Sequence, residues 1–206
     1  AVKLPTDPAS VKGFLDPEEG GALYRWAHDA VAWGPCLEVG SYCGKSALYL
    51  GTACKARGGL LFTVDHHRGS EEMQPGWEHH DAETWDPRAG TMETLPFLRD
   101  TLRRAQLEDH VIPVVGRSAT VARHWHTPLS MIFIDGGHAM EQALADYRGW
   151  AHHVMPGGYL AIHDVFPNPE DGGRPPFEIY KAALASRLFR ELEQVKSLRL
   201  LVRLAG

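Results

Sequence analysis

Residues 36–46 read CLEVGSYCGKS, and this stretch decides the fold. A short apolar segment ends at Glu38-Val39-Gly40, a second glycine follows at Gly44, and residues 46–57 have the pattern of a helix. A strand, a tight glycine turn and a helix form the first unit of a doubly wound α/β sheet. We expect Gly40 to turn the chain off the strand, and Gly44 to let a ligand approach the backbone because it has no Cβ.

The spacing of the glycines distinguishes three kinds of ligand-binding loop. A dinucleotide-binding loop has G-x-G-x-x-G, whereas this loop has G-x-x-x-G. A phosphate-binding P-loop has G-x-x-x-x-G-K-[ST], and residues 40–46 are one residue short of it. The third pattern is E-x-G-x-x-x-G-x-S, formed by Glu38, Gly40, Gly44 and Ser46. Its carboxylate repels phosphate and suits an ammonium group; a purely structural turn is the alternative.

This third pattern resembles the cofactor loop of the class I S-adenosylmethionine (SAM) dependent methyltransferases, in which the loop holds the methionine part of SAM. The resemblance covers roughly residues 11–206. It implies an α/β fold, namely a doubly wound, Rossmann-like sheet of seven mostly parallel strands in the order 3-2-1-4-5-7-6, with the last strand antiparallel. It also implies SAM as the cofactor, held by Glu38, Gly40, Ser41, Gly44 and Ser46.

Size and composition limit the classes of protein to consider. With 206 residues, of which 44% are hydrophobic, the chain is long enough for one well-buried domain. The net charge of −5 argues against a general nucleic-acid or membrane-surface binder. No apolar run approaches the ~18 residues of a membrane span, and we see no signal peptide. The three cysteines lack a zinc-binding spacing, so we expect reduced thiols and a cytoplasmic protein.

The rest of the chain fits a single methyltransferase domain over residues 1–206. Residues 1–12 read as a lead-in, and Asp16 is predicted to cap a helix that starts at Pro17, with Glu19 completing a capping box. Further strands are predicted at 60–64, 111–115, 131–134 and 159–162, a last helix at about 177–189, and a terminal hairpin at 190–196 and 198–204.

Polar residues follow the ends of these strands. The set comprises Glu38, Asp65, Asp135, His138, His163 and Asp164. In an open parallel sheet, ligands bind outside the carboxyl ends of the strands, so this convergence is the best functional indication in the chain. Asp65 lies ~20 residues past the glycine loop, where a carboxylate accepts ribose hydroxyls. The family uses that acid for the SAM ribose, and His66, which follows it, is a further candidate contact.

Two further cofactor contacts are implied by the resemblance. In methyltransferases the turn after the third strand often closes over the adenine ring, which indicates Ser118 or Ala119. Asp135, at the end of the fourth strand, is expected to face the cofactor as well.

The segments around Asp135 and Asp164 resemble small bacterial methyltransferases, some of which are metal-dependent O-methyltransferases acting on sugars or phenols. Two carboxylates suit a hard cation such as Mg²⁺. His163 stands where metal-dependent relatives often carry another acid, which favours Mn²⁺, Fe²⁺ or Zn²⁺. Asp135, His163 and Asp164 are therefore the candidate metal ligands. The alternative is that the acids cap turns and His163 packs beneath the ligand.

Methyl transfer to a hydroxyl requires in-line positioning together with a base or a metal. His138 is the candidate general base, because the unperturbed pKa of histidine lies near neutrality. Asp135 is the second candidate catalytic residue. A structural alternative for His138 is that it caps the next helix.

Residues 66–90 show no usable periodicity, yet they contain several histidines and two tryptophans. A long irregular stretch inside a compact domain is either a functional lid or a disordered segment. Disordered segments are usually poor in aromatic residues, so we predict a lid.

The sequence therefore predicts SAM-dependent methyl transfer to a small-molecule acceptor, most simply at a hydroxyl oxygen. A nicotinamide-dependent oxidoreductase, a non-catalytic SAM-binding module and other SAM chemistry are the alternatives. We expect no nucleic-acid or membrane partner, and a homodimer is left open.

Overall fold

A computed structural model of the chain describes residues 2–135 and 139–205. Its centre is a seven-stranded sheet in which only the last strand runs antiparallel to its neighbours. The strand order is β5-β2-β1-β6-β7-β9-β8, where β3 and β4 form a separate small hairpin. Counting only the sheet strands along the chain, this order is 3-2-1-4-5-7-6, so the predicted topology is confirmed.

The helices and strands alternate along most of the chain. The helices are α1 (Pro17–Ala30), α2 (Lys45–Ala56), α3 (Leu95–Arg104), α4 (Ser118–Arg123), α5 (Met140–Trp150) and α6 (Arg174–Ala185). The strands are β1 (Cys36–Val39), β2 (Leu61–Asp65), β3 (Trp85–Asp86), β4 (Thr91–Met92), β5 (Val111–Val115), β6 (Leu129–Ile134), β7 (Val154–Ile162), β8 (Phe189–Val195) and β9 (Leu198–Arg203).

The hydrophobic core has two parts, one on each face of the sheet. Strand β6 is buried along its whole length and supplies both: Met131 and Phe133 pack on the side of α1, α2 and α3, whereas Ile132 and Ile134 pack on the side of α4, α5 and α6. Side chains alternate between the two faces of a strand, and a strand buried on both faces is therefore apolar throughout. This is the pattern from which the central strand was predicted.

The two glycines of the first loop have different roles. Gly40 has a φ of +98°, a backbone conformation that side chains disfavour, which fits its predicted turn off β1. Gly44 has a φ of +96°, and a Cβ there would lie 2.9 Å from Leu98 and 3.2 Å from Thr101. Helix α3 therefore makes a close approach to Gly44, and the expected approach of a ligand stays a prediction.

The start of α1 also differs from the prediction. Asp16 caps the helix, accepting the backbone N–H of Glu18 at 2.8 Å. The side chain of Glu19 does not return to the cap as a capping box requires. It is buried and turns to His163 and Ser197 instead, because helix α1 packs this face against the sheet.

Other boundaries shift for reasons that lie in the pairing of strands. Residues Pro156-Gly157-Gly158, predicted as a turn, form an irregularity within β7, where the register with β6 jumps between Leu129 and Met131. Residues 66–90 contain two single-turn helices, Glu71–Met73 and Ala82–Thr84, and strand β3. Elements this short leave no periodic signal in a sequence. None of the helices formed by the described residues has the length and apolarity of a membrane span.

Candidate active site

A cavity of about 540 Å³ opens at the carboxyl ends of the central strands. Val39 of β1, Val64 of β2 and Asp135 after β6 lie in its wall, together with the glycine loop. Its volume falls within the range of small-molecule sites. The topology places it where the strand order reverses between β1 and β6, which is the usual ligand position in an open α/β sheet.

Asp65 ties the glycine loop to the end of β2. One carboxylate oxygen accepts the backbone N–H groups of Ser41 at 3.0 Å and Tyr42 at 2.9 Å, and the other accepts that of His67 at 2.9 Å. Asp65 also lines the cavity. A carboxylate has about four acceptor positions, so these three bonds leave capacity for a further donor.

Glu38 lies beneath the loop and not in the cavity wall. Its side chain is fully buried, and its two oxygens accept the hydroxyls of Ser46 at 2.6 Å and Thr63 at 2.7 Å. The hydroxyls of Ser41 and Thr63 are hydrogen-bonded to each other and extend this network. Burial raises the pKa of Glu38 to about 8. In this geometry Glu38 stabilises the loop, while Gly40, Ser41 and Ser46 are the predicted loop residues that line the cavity.

A second polar group lies at the start of α4. The Ser118 hydroxyl donates to Asp146 of α5, and the Gln142 side-chain amide donates to the same carboxylate oxygen at 3.1 Å. All three residues line the cavity, as does Arg117, whereas Ala119 lies outside its wall. Burial raises the pKa of Asp146 above its ordinary value. Asp146 was not predicted, although a charged residue on the apolar face of α5, between Ala143 and Trp150, was a usable signal.

His163 is a buried titratable group next to the cavity. Its Nδ1 lies 2.9 Å from Asp135 Oδ1, and its Nε2 lies 3.1 Å from Glu19 Oε1. Burial acts to lower the pKa of His163, but the charge of Asp135 and the hydrogen bonds to Asp135 and Glu19 raise it to about 11. Burial works against Glu19 ionisation too, yet bonds from His163 and Ser197 lower the Glu19 pKa. The His163 ring thus lies among three carboxylates, with Asp135 and Asp164 near Nδ1 and Glu19 near Nε2.

The three candidate metal ligands come together in this structure. One ligand atom from each of Asp135, His163 and Asp164 lies within 4.8 Å of the others. A metal-bound histidine must offer the lone pair of a ring nitrogen. Each ring nitrogen of His163 faces a carboxylate oxygen, so binding an ion through the ring would require one of these two contacts to break. Asp135 and Asp164 line the cavity, whereas His163 is not part of its wall.

The remaining predicted residues are placed as follows. His66 lines the cavity, and its Nδ1 accepts the backbone N–H of Arg68 at 2.9 Å. Gly44 is turned towards α3, as described above. His138, the predicted general base, lies outside the described residues, and its role stays a prediction.

The cavity entrance is formed by two segments that the sequence did not connect. Residues 12–15 precede α1, and residues 69–73 and Trp77 belong to the predicted lid. Lys12 forms ion pairs with Asp81 at 2.5 Å and Glu83 at 2.9 Å. The Phe14 ring packs on His79 with centroids 5.2 Å apart. Residues 12–15 therefore contact the predicted lid segment through both ion pairs and a ring contact.

Several solved structures share this fold. The chain is 15% identical to the O-methyltransferase TomG from Streptomyces achromogenes, involved in tomaymycin synthesis and solved with SAM, with a TM-score of 0.64 over 93% of this chain and 82% of that one. It is 16% identical to an O-methyltransferase from Bacillus cereus solved with SAH (S-adenosylhomocysteine), with a TM-score of 0.65 over 95% and 86%. It is 14% identical to the Podospora anserina methyltransferase PaMTH1, bound to SAH, with a TM-score of 0.68 over 94% and 80%.

The family is shown by sequence as well. A family model described as "Methyltransferase domain" matches residues 37–165, from the first strand to just beyond Asp164. The match includes the glycine loop, Asp65, Ser118 and the acids after β6 and β7. Since it spans well over half of the 206 residues, the chain belongs to this methyltransferase family, as the sequence resemblance predicted.

Proposed function

We propose that the protein transfers a methyl group from SAM to an oxygen atom of a small-molecule acceptor. The observation that carries this proposal is the position of Asp135: it lines the same cavity as the glycine loop and is held there by a hydrogen bond with the buried ring of His163. Bound SAM would supply an electrophilic methyl group and leave as SAH. Structural neighbours solved with SAM or SAH support this choice of cofactor.

The glycine loop and Asp65 are the groups that would hold the cofactor. The loop backbone is fixed from below by Glu38 and from the side by Asp65, so it needs little reorganisation on binding. Asp65 retains capacity for a ribose hydroxyl, and Ser118 with Gln142 offers polar contacts for a heterocyclic base. The carboxylates of Asp65 and Asp146 in the wall oppose phosphate and suit a cofactor that carries positive charge.

The acceptor end would be formed by Asp135, Asp164 and the entrance residues. Asp135 orients the acceptor hydroxyl so that its oxygen faces the methyl group in line with the leaving sulfur. The acceptor proton must pass to a base as the new carbon–oxygen bond forms, and His138 remains our proposed base. The proposed reaction uses no metal, because both ring nitrogens of His163 already face the carboxylates of Asp135 and Glu19.

The assignment of the cofactor is tested by Asp65→Ala. We expect SAM and SAH to bind the wild-type protein, and the variant to bind them about 1–3 kcal/mol more weakly, since hydrogen bonds to a charged group are lost. Isothermal titration calorimetry measures this, and Asp109→Ala, an exposed acid outside the cavity wall, is the matched control. Unchanged affinity in Asp65→Ala would remove Asp65 from the cofactor site.

The assignment of the reaction is tested by mass spectrometry. Trideuteromethyl-labelled SAM is incubated with the protein and a set of phenols and sugars, and labelled ethers are sought. Labelled product supports O-methyl transfer. SAM binding with no transfer to any acceptor would favour a non-catalytic SAM-binding module, and transfer to nitrogen or carbon would correct the acceptor atom.

We propose one methyltransferase domain with residues 66–90 as its lid, acting in the cytoplasm on a small molecule. All three cysteines are free and buried, which agrees with reduced thiols. The homodimer stays open.

A further inference from the structure

A chain of buried hydrogen bonds connects the active site to the far side of α1. The Ser197 backbone N–H and hydroxyl donate to Glu19 Oε2 at 3.0 and 2.5 Å, and Glu19 Oε1 lies 3.1 Å from His163 Nε2. The other ring nitrogen of His163 lies 2.9 Å from Asp135. Glu19, His163 and Ser197 are only 4%, 5% and 8% exposed, whereas Asp135 reaches the cavity.

The two ends of this chain have different surroundings. Glu19 is held by two donors from the turn between β8 and β9, so its carboxylate has a fixed place. Asp135 follows β6 directly and borders the open cavity. The His163 ring joins the fixed carboxylate to the one at the cavity, and a ring bonded at both nitrogens has no freedom to rotate. The turn therefore fixes the position of Glu19, Glu19 fixes the His163 ring, and the ring fixes the carboxylate of Asp135.

Stability alone is a weak reason for this arrangement. Removing carboxylates and an imidazole from water is costly, and buried ion pairs often contribute little net stability compared with apolar packing. They do, however, fix the geometry of the groups that they join. We propose that Glu19 is a positioning residue, which acts through His163 to hold the carboxylate of Asp135 against the acceptor. This inference rests on the proposed function of the site.

The main test separates positioning from mere folding. Glu19→Ala removes the anchor of the ring and is expected to lower kcat about 10- to 100-fold, as small misplacements of reacting groups do, with less than about three-fold change in KM. Glu19→Gln keeps the shape of the side chain. Its amide oxygen can accept from Ser197 and its N–H₂ can donate to Nε2 of a neutral His163, whose Nδ1–H then still donates to Asp135, so this variant should recover most of kcat. Equal loss in both variants, or a change in KM alone, would overturn the inference.

A matched control uses the same helix and the same hairpin. The Trp26 indole N–H donates to Glu193 of β8 at 2.8 Å, so Trp26→Phe also loosens α1 from the hairpin without touching His163. Its kcat should stay within two-fold of wild type. If Trp26→Phe lowers kcat as much as Glu19→Ala does, the effect is structural and the positioning role is wrong.

A double-mutant cycle tests whether Glu19 acts through His163. The loss of kcat in Glu19→Ala/His163→Asn should equal that in His163→Asn alone, because the connection is already broken. If the loss of kcat in the double variant equals the product of the losses in the two single variants, Glu19 does not act through His163.

If no acceptor is methylated, that result counts against the proposed function alone. The positioning role of Glu19 can then still be tested by NMR. Both ring nitrogens of His163 should shift in ¹⁵N spectra of Glu19→Ala, the one facing Asp135 as well as the one facing Glu19. A change confined to Nε2, or no change, would show that Asp135 does not sense Glu19.

Discussion

Glu38 is a carboxyl group in a place where a negative charge is costly. Burial raises its pKa to about 8 from an ordinary value of 4.5; the hydroxyls of Ser46 and Thr63 oppose this shift, while Asp135 and Asp65 add to it. Between these two pH values the folded chain binds a proton that the unfolded chain releases. The contribution of Glu38 to stability is therefore fully present below about pH 4.5 and is lost as the pH rises towards 8.

Glu38→Gln should remove this pH dependence. A glutamine resembles the protonated carboxyl, and the surrounding hydroxyls can rotate to match its amide. We expect the free energy of unfolding of the wild type to fall by on the order of a few kcal/mol between pH 5 and 8, since each pKa unit is worth about 1.4 kcal/mol. The variant should show a flatter profile in urea titrations at several pH values. Asp109→Asn is the control, and parallel profiles for the variant and the wild type would contradict the argument.

For single residues, the sequence predicted those site positions that adjacent residues in the chain mark as the end of a strand. Asp65 ends strand β2, Asp135 directly follows β6 and Asp164 lies two residues past β7, so their position at the sheet edge follows from topology. Glu19 could not be predicted in this way, because its partner His163 is distant in sequence and only the fold brings them together. The approach of α3 to Gly44 could not be predicted either, since that helix lies far along the chain.

At the level of elements, residues 12–15 and the segment 66–90 contact each other and both line the entrance of the cavity. Their contacts are exposed or partly exposed ion pairs and one ring contact, which contribute little stability each. Such a region opens at low cost compared with the buried sheet. The sequence indicated a lid from composition, but its short helices and hairpin were invisible because they are too brief to show a period.

Hydrogen exchange should show this entrance closing on ligand. We expect amides at 69–85 to exchange quickly in the free protein and more slowly with SAM and an acceptor. Lys12→Met should speed exchange at 77–85 up to about five-fold, the value of a weak ion pair. Lys55→Met, whose amine donates to the Gln106 carbonyl on another surface, is the control. Exchange that neither ligand nor Lys12→Met alters would mean that this segment is not a lid.

At the scale of the whole molecule, the fold brings residues that are distant in the sequence together in one site. The strand order reverses beside β1, which places Asp65 on one side of the cavity and Asp135 and Asp164 on the other. The sheet order followed from the family resemblance and needed no side-chain detail. Whether the acids bind an ion depends instead on what else packs against His163, and that is decided by α1 and the terminal hairpin, which sequence patterns could not place.

Whether the site can bind a metal ion therefore depends on residues that only the complete fold brings together. The carboxylates of Asp135 and Asp164 alone could supply part of a cation site, but the fold adds Glu19 behind His163, so that each ring nitrogen faces a carboxylate oxygen. A ring that donates from both nitrogens has no lone pair for a metal. We expect methyl transfer to persist after treatment with EDTA and dialysis, and added Mg²⁺, Mn²⁺ or Zn²⁺ to change kcat less than about two-fold. Calorimetric titration with each ion provides a test that does not depend on activity. Any binding of an ion to the wild type should be equally strong in His163→Asn. Loss of turnover on chelation, restored by one ion, would show instead that a metal displaces Glu19 from the histidine.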